Sequence, residues 1–171
     1  MNILFQPIFA PNQMKIKCLM KATVLYYSRR GKTAGYAREI AMYLWSKGLD
    51  VSLSSLTDYD PEKLSGTDFL FTGCWTCGWF VIGQHPHRRW KEFSRKLSGV
   101  IPADRTLLFT TYKFRTGSLF GQMKKTLHIP RSVRVPCLSS KTGFLTKEDK
   151  ELLDQFIHSY YYDFCKLFTI K

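Results

Sequence analysis

A cluster of basic, hydroxyl and glycine residues occupies positions 28–33, directly after a short apolar run. Gly31 permits a ligand to approach the backbone closely, and Ser28 and Thr33 carry hydroxyl groups that donate hydrogen bonds. The basic residues of the cluster are Arg29, Arg30 and Lys32. A helix that begins here would add free backbone N–H groups and partial positive charge, which together favour a phosphate group. An ordinary strand–helix turn with solvated basic side chains accounts for the same residues equally well.

Two later segments offer the flat side chains that a planar ligand needs. The first, residues 73–83, is rich in glycine and carries Trp75. The second, residues 112–117, carries Tyr112 and Phe114. Aromatic rings stack on planar ligands, and neighbouring glycines let the backbone come close to the same ligand. Packing in the protein core is the alternative explanation for these rings.

Short apolar runs alternate with amphipathic segments along the chain, and this alternation predicts an α/β fold with a parallel sheet. The helices are expected on both faces of the sheet, with right-handed crossovers. Ligands of such sheets bind beyond the C-terminal ends of the strands, where the three segments above are expected to meet. The predicted strands are residues 22–27, 51–56, 68–72, 105–111 and 134–138. The predicted helices are residues 33–47, 87–97, 117–127 and 146–160, with Gly48 as a left-handed cap of the first.

The sequence Gly31-Lys32-Thr33 also matches the end of the nucleotide-binding pattern G-x-x-x-x-G-K-[ST]. The leading glycine of that pattern would fall at position 26, which is Tyr26. The loop is then too short to wrap a triphosphate, and no predicted strand ends in an aspartate placed to hold magnesium. These departures disfavour a nucleotide hydrolase.

Residues 23–34 resemble the first phosphate loop of flavodoxins, in which a pattern of the type [ST]-x-[ST]-G-x-T follows an apolar strand. Ser28, Gly31 and Thr33 match this pattern, whereas Arg30 stands where a small hydroxyl residue is usual. The resemblance extends over about residues 20–160, with all five strands in order. The length resembles that of the short-chain flavodoxins, since no long insertion splits the fifth strand. It implies a flavodoxin-like three-layer sandwich, with a five-stranded parallel sheet of order 2-1-3-4-5 and helices on both faces.

The resemblance further implies that the chain binds flavin mononucleotide (FMN) through the loops after the first, third and fourth strands. In the family, a glycine peptide in the second loop reorients when the ring gains a proton, and Gly78 is the candidate for that role. The implied FMN-binding residues are Ser28, Arg29, Arg30, Gly31, Lys32, Thr33, Gly73, Cys74, Trp75, Thr76, Cys77, Gly78, Thr110, Thr111, Tyr112, Phe114 and Gly117.

The function implied by the resemblance is electron transfer or an FMN-dependent reductase activity. The expected partners are a redox protein, NAD(P)H or a quinone-type small molecule. No catalytic triad or paired carboxylates suggest another enzyme class. The alternative is a flavodoxin-fold module that has lost the cofactor and docks an acidic partner, because the net charge is +13 and Arg30 departs from the pattern. Nucleic acid is not expected, since only Trp90 lies near the basic run of residues 88–96.

The five cysteines are odd in number and irregularly spaced, which predicts a reducing cytoplasm rather than a disulfide framework. Cys74 and Cys77 form a lone C-x-x-C pair without the second pair that a zinc site needs, so no metal is expected. His85 and His87 are expected to be exposed. No signal peptide or membrane span is predicted. Residues 1–19 are expected to be a poorly ordered extension, and residues 161–171 a C-terminal tail.

Overall fold

The computed structural model describes residues 20–79 and 82–168 of the chain, with side chains over residues 20–78 and 83–160. The predicted extension, residues 1–19, lies outside the described residues. The edge of the sheet at which the parallel strands end lies within the described ranges.

The sheet has six strands, five of them parallel. The strands are β1 (Lys21–Tyr27), β2 (Asp50–Ser55), β3 (Phe69–Trp79), β4 (Ile82–Pro86), β5 (Thr106–Thr111) and β6 (Cys137–Ser140). The parallel strands lie in the order β2-β1-β3-β5-β6, and β4 pairs antiparallel with β3. Counted along the chain, the parallel strands therefore have the predicted order 2-1-3-4-5, and the predicted α/β class is confirmed.

In the described part of the chain, four α-helices cover the two faces of the sheet. They are α1 (Lys32–Ser46), α2 (Arg88–Leu97), α3 (Leu119–Thr126) and α4 (Lys147–Phe168). Apolar residues at helical spacing place α1 and α4 together on one core with Phe69, Phe71 and Phe109. Helices α2 and α3 pack with Leu70 and Leu108 on the other core. Successive residues of β3 and β5 thus point to opposite faces, and both faces of these strands are buried.

The predicted loop at residues 73–83 is wrong, because β3 continues through it to Trp79 and turns back as β4. Gly78 has φ 132° at a register shift of the antiparallel pair, so this glycine forms a bulge in the hairpin. A side chain on Gly78 would lie 2.8 Å from the carbonyl oxygen of Gly83 on the opposite strand. Residues 80–81, which join the two strands, lie outside the described residues.

Outside the hairpin, two element boundaries differ from prediction by three or more residues. The last strand begins at Cys137 rather than at residue 134, because Pro136 has no N–H to donate to a strand ladder. Pro136 still accepts a hydrogen bond from the backbone N–H of Leu108 at 3.0 Å. Helix α4 runs to Phe168, past its predicted end at residue 160. None of the helices among the described residues is both long and apolar enough to cross a membrane.

Candidate functional site

A cavity of about 450 Å³ opens where strands β1, β3 and β5 end. Its volume lies within the range of small-molecule sites in proteins. Because it lies beyond the ends of these strands, the cavity is at the place where a parallel sheet of this kind binds its ligand. The lining residues are Ser28, Arg29, Arg30, Lys32, Thr33, Trp75, Thr76, Thr111, Tyr112 and Lys113.

The N-terminus of α1 forms the floor of this cavity. Gly31 caps the helix with φ 83°, a left-handed conformation that glycine adopts without strain. Among the described side chains none caps this end of the helix, and no acidic residue occurs in its first turn. Arg29, Arg30 and Lys32 are exposed around it. The positive end of the helix dipole and three cations therefore meet at one point, which is the electrostatic arrangement that favours an anion.

A hydroxyl pair joins the first loop to the third. The Oγ1 atoms of Thr33 and Thr111 lie 2.6 Å apart, and the two residues are 1% and 3% exposed. A hydroxyl group donates one hydrogen bond and accepts two, so one of the two oxygens keeps a proton for a ligand. The pair thus holds the start of α1 against the end of β5 while leaving a donor at the wall of the cavity.

Trp75, which lines the cavity, belongs to an aromatic cluster. Trp75 stacks on Tyr27 with ring centroids 5.1 Å apart and an interplanar angle of 25°. The ring of His87 lies 4.6 Å from Trp75 and 4.7 Å from Tyr27. The Arg89 guanidinium lies 6.0 Å from the centre of the Tyr27 ring. Because Trp75 also pairs in the β3–β5 ladder, its backbone and its ring are both fixed before any ligand binds.

Besides its contacts with Trp75 and Tyr27, His87 caps the N-terminus of α2. Its Nδ1 accepts a hydrogen bond from the backbone N–H of Arg89 at 3.2 Å. Burial lowers the pKa of His87 below its ordinary value, and the neighbouring charges of Arg89 and Arg29 lower it further. The imidazole is accordingly neutral at neutral pH, which is the form that can accept this bond.

No model of a known protein family matches the chain, and no curated protein matches it. Solved structures do match. An archaeal flavodoxin superposes with a TM-score of 0.58 at 19% identity, covering 80% of this chain and 93% of its own. The two-electron reduced flavodoxin of Megasphaera elsdenii gives a TM-score of 0.59 at 21% identity, covering 78% and 95%. The chain has a flavodoxin-like fold.

A flavodiiron core from Synechocystis sp. PCC6803 shares this flavodoxin-like fold with a TM-score of 0.62 at 12% identity. The match covers 84% of this chain and 36% of the flavodiiron chain. The fold thus occurs both in flavodoxins of about this length and as a part of a longer flavodiiron chain.

The cavity of the flavodoxin-like fold brings together more than half of the residues predicted from the sequence. Those that line it are Ser28, Arg29, Arg30, Lys32, Thr33, Trp75, Thr76, Thr111 and Tyr112, while Gly31 caps the helix beneath it. The remaining predicted residues lie elsewhere in the fold: Gly73, Cys74, Cys77, Gly78, Thr110, Phe114 and Gly117 do not line the cavity.

Three of the residues that do not line the cavity have contacts that explain their residue type. A side chain on Gly73 would overlap the carbonyl oxygen and ring of Phe109, so this glycine allows β3 and β5 to pack closely. Thr110 donates a hydrogen bond from Oγ1 to the Cys74 carbonyl oxygen at 2.6 Å, which ties the same two strands. Gly117, with φ 47°, lies against the Gln84 side chain of the hairpin.

The two cysteines of the C-x-x-C pair differ in their surroundings. Cys74 is 0% exposed, and burial raises the pKa of its thiol to about 12. Cys77 is half-buried in the hairpin, and burial raises the pKa of its thiol as well. Both thiols are free. Neither has the lowered pKa that marks a reactive thiolate.

Sequence reasoning misses three residues of this site. Lys113 lines the cavity, and Tyr27 and His87 complete the aromatic cluster. The prediction that His85 and His87 are exposed is wrong, because both are half-buried and the hairpin carries His87 back to the start of α2. The sequence signal for Lys113 is its place two residues after a buried strand. No comparable signal reveals the contact of Tyr27 with His87, which depends on the hairpin.

Proposed function

We propose that the chain binds FMN in this cavity and acts in electron transfer, as a carrier or as a flavin-dependent reductase. The observation that carries the proposal is the joining of two unlike surfaces in one cavity. One surface is an acid-free helix N-terminus surrounded by cations, and the other is formed by aromatic rings. A phosphorylated planar cofactor presents the same two chemistries.

The residues at the helix end suit the phosphate group. Gly31 leaves open space above the helix, since a side chain there would meet no atom of the described residues within 4 Å. Backbone N–H groups at the start of α1 and the guanidinium of Arg30 would hold the phosphate by charge-assisted hydrogen bonds. Arg30 takes the place of the hydroxyl residue usual in the flavodoxin pattern, and it lines the cavity.

The residues on the other side suit the flavin ring. Trp75 and Tyr112 line the cavity from β3 and from the end of β5. Flavin supplies the redox chemistry when bound, whereas the chain determines affinity, orientation and access of water. The Thr33–Thr111 hydroxyl pair would orient the cofactor between these two loops, and the packed Trp75 ring would exclude water from one face.

The first test is the visible absorption spectrum of the purified chain, followed by titration with FMN and with riboflavin. The two ligands share the ring and differ in the phosphate. Because a hydrogen bond to a charged group contributes about 1.5–3 kcal/mol, FMN should bind at least about tenfold more tightly than riboflavin. A colourless chain that ignores added FMN, or one that binds both ligands equally, contradicts the proposal.

Two variants locate the phosphate. Arg30→Ala should remove most of the preference for FMN over riboflavin and leave riboflavin binding little changed. Lys63→Ala is the matched control, because Lys63 is also exposed but lies beside the starts of β1 and β2, away from the cavity. Oxidation of NAD(P)H by the FMN-loaded chain then separates a reductase from a carrier, since a carrier needs a separate reductase partner.

A further inference from the structure

Acidic residues are absent from the parts of the chain that surround the mouth of the cavity. No Asp or Glu occurs between Asp68 and Glu92, a stretch that contains all of β3 and β4. None occurs between Asp104 and Glu148, a stretch that contains β5, β6 and the loops after them. These acid-free stretches include the residues that follow β3 and β5 at the mouth of the cavity.

Six cations form what we call the basic rim: Arg29, Arg30, Lys32, Lys113, Arg115 and Lys141. All six are exposed. Four of them line the cavity, Arg115 follows Lys113 in the same loop, and Lys32 donates from Nζ to the Lys141 carbonyl oxygen at 3.1 Å. No ion pair joins any of the six to an acid among the described side chains. The charge of the rim is thus not neutralised by any of these acids.

Two exposed aromatic rings stand within the basic rim. Phe114 is 52% exposed and lies between Lys113 and Arg115 in the chain. Phe144 is 65% exposed, and its neighbour Gly143 lies against Lys32. Exposed aromatics beside arginine are the residue types that anchor protein–protein interfaces. The rim therefore combines long-range attraction with short-range apolar contact.

We infer that the basic rim docks an acidic protein over the mouth of the cavity, as the redox partner of the bound cofactor. This inference rests on the proposed function, because the rim surrounds the cavity in which FMN is placed. A nucleic acid fits the rim less well. The Lys113 ammonium lies 5.3 Å from the centre of the Phe114 ring, so one face of that ring is covered rather than open to a stacked base.

Association with an acidic protein should depend strongly on salt. Charges separated by more than about 8 Å are largely screened at physiological ionic strength, so the attraction of the rim is strong only in dilute salt. Electrostatic complementarity chiefly sets association rate and specificity. Contacts of Phe144 with the partner, being apolar, should persist when salt is added.

The probe is cytochrome c with its lysines succinylated, which converts a basic surface into an acidic one, and unmodified cytochrome c is the counter-probe. Binding is followed in sedimentation by haem absorbance, with the full chain as purified. The double variant Arg115→Glu/Lys141→Glu alters the rim without touching the cavity lining. The double variant Lys63→Glu/Lys96→Glu makes the same change in net charge at exposed positions away from the rim.

We expect the succinylated protein to bind and the unmodified one not to bind. The rim variant should weaken binding about tenfold and the control variant less than about twofold, since each reversed charge alters an exposed ion pair. Phe144→Ser should weaken binding at high salt as well as at low salt. Equal effects of the two double variants would overturn the inference. So would a stronger affinity for an oligothymidine of about 20 nucleotides, which would assign the rim to nucleic acid.

The outcome is separable from that of the FMN titration. If the chain fails to bind FMN but the rim still binds the acidic probe, the proposed function fails and the docking surface stands without a redox role. If FMN binds and the rim variant behaves like its control, the docking surface fails and the cofactor site stands. Binding of the probe uses haem absorbance, so it requires no flavin in the chain.

Discussion

Replacing one threonine of the buried hydroxyl pair should destabilise the chain, and replacing both should restore most of the loss. Thr33→Val keeps the shape of the side chain but removes the hydroxyl that Thr111 contacts at 2.6 Å. The Thr111 hydroxyl would then be left buried without that partner, which costs about 1–3 kcal/mol. In a domain of this size, each kcal/mol lowers Tm by about 2–4 °C, so Tm should fall by about 2–12 °C.

Urea denaturation of four proteins measures this effect: the parent chain, Thr33→Val, Thr111→Val and the double variant. The double variant should lie within about 1 kcal/mol of the parent chain, because both partners are then apolar. Thr57→Val is the control, since its hydroxyl lies 2.8 Å from that of Ser55 but is exposed, and it should change the free energy of unfolding by less than about 0.5 kcal/mol. Additive losses in the double variant would refute the role given to the pair.

Three further predictions concern the hairpin and its surroundings. Burial and nearby arginines lower the pKa of His87 below its unfolded value of about 6.5, so the free energy of unfolding should fall as the pH drops below that value. His87→Asn retains a capping side chain but does not titrate, so this decrease should be missing from its urea titrations. Gly73→Ala should destabilise the folded chain by about 1–3 kcal/mol, because the added methyl group would overlap β5. Gly121→Ala, in open space on α3, is the control and should not destabilise the chain; a loss of stability there would contradict the packing argument. A thiol reagent at about pH 8 should modify half-buried Cys77 before Cys74, because burial raises the pKa of the Cys74 thiol to about 12. Peptide mapping would record the order of modification, and faster modification of Cys74 would contradict its placement in the core.

The sequence is sufficient to predict the sheet because its parallel strands are buried on both faces. Residues 106–111 are buried without exception, and such a strand appears in the sequence as a continuous apolar and β-branched run. The strand order is implied by the resemblance to flavodoxins, and the observed sheet topology confirms it. The loop of residues 28–33 can likewise be placed, because a glycine between an apolar strand and an amphipathic helix identifies the helix N-terminus.

The hairpin cannot be predicted from the sequence because a glycine can either end a strand or lie within one. Gly73 and Gly78 are typical of a loop, but here one permits close packing of two strands and the other forms a bulge. Once β3 continues past Gly73, Cys74 points into a core and Trp75 points to the cavity. These assignments depend on long-range pairing, which local sequence patterns do not encode.

The β3–β4 hairpin has a consequence for how the cavity can change during evolution. An ordinary ligand loop accepts inserted or deleted residues, and its side chains then move gradually. Trp75 instead belongs to the same ladder as the core residues before it, with Thr111 as its register partner. An insertion of one residue upstream would turn the tryptophan to the opposite face and bury its neighbour in its place. This wall can therefore diversify by substitution, while changes in chain length are confined to the far tip of the hairpin.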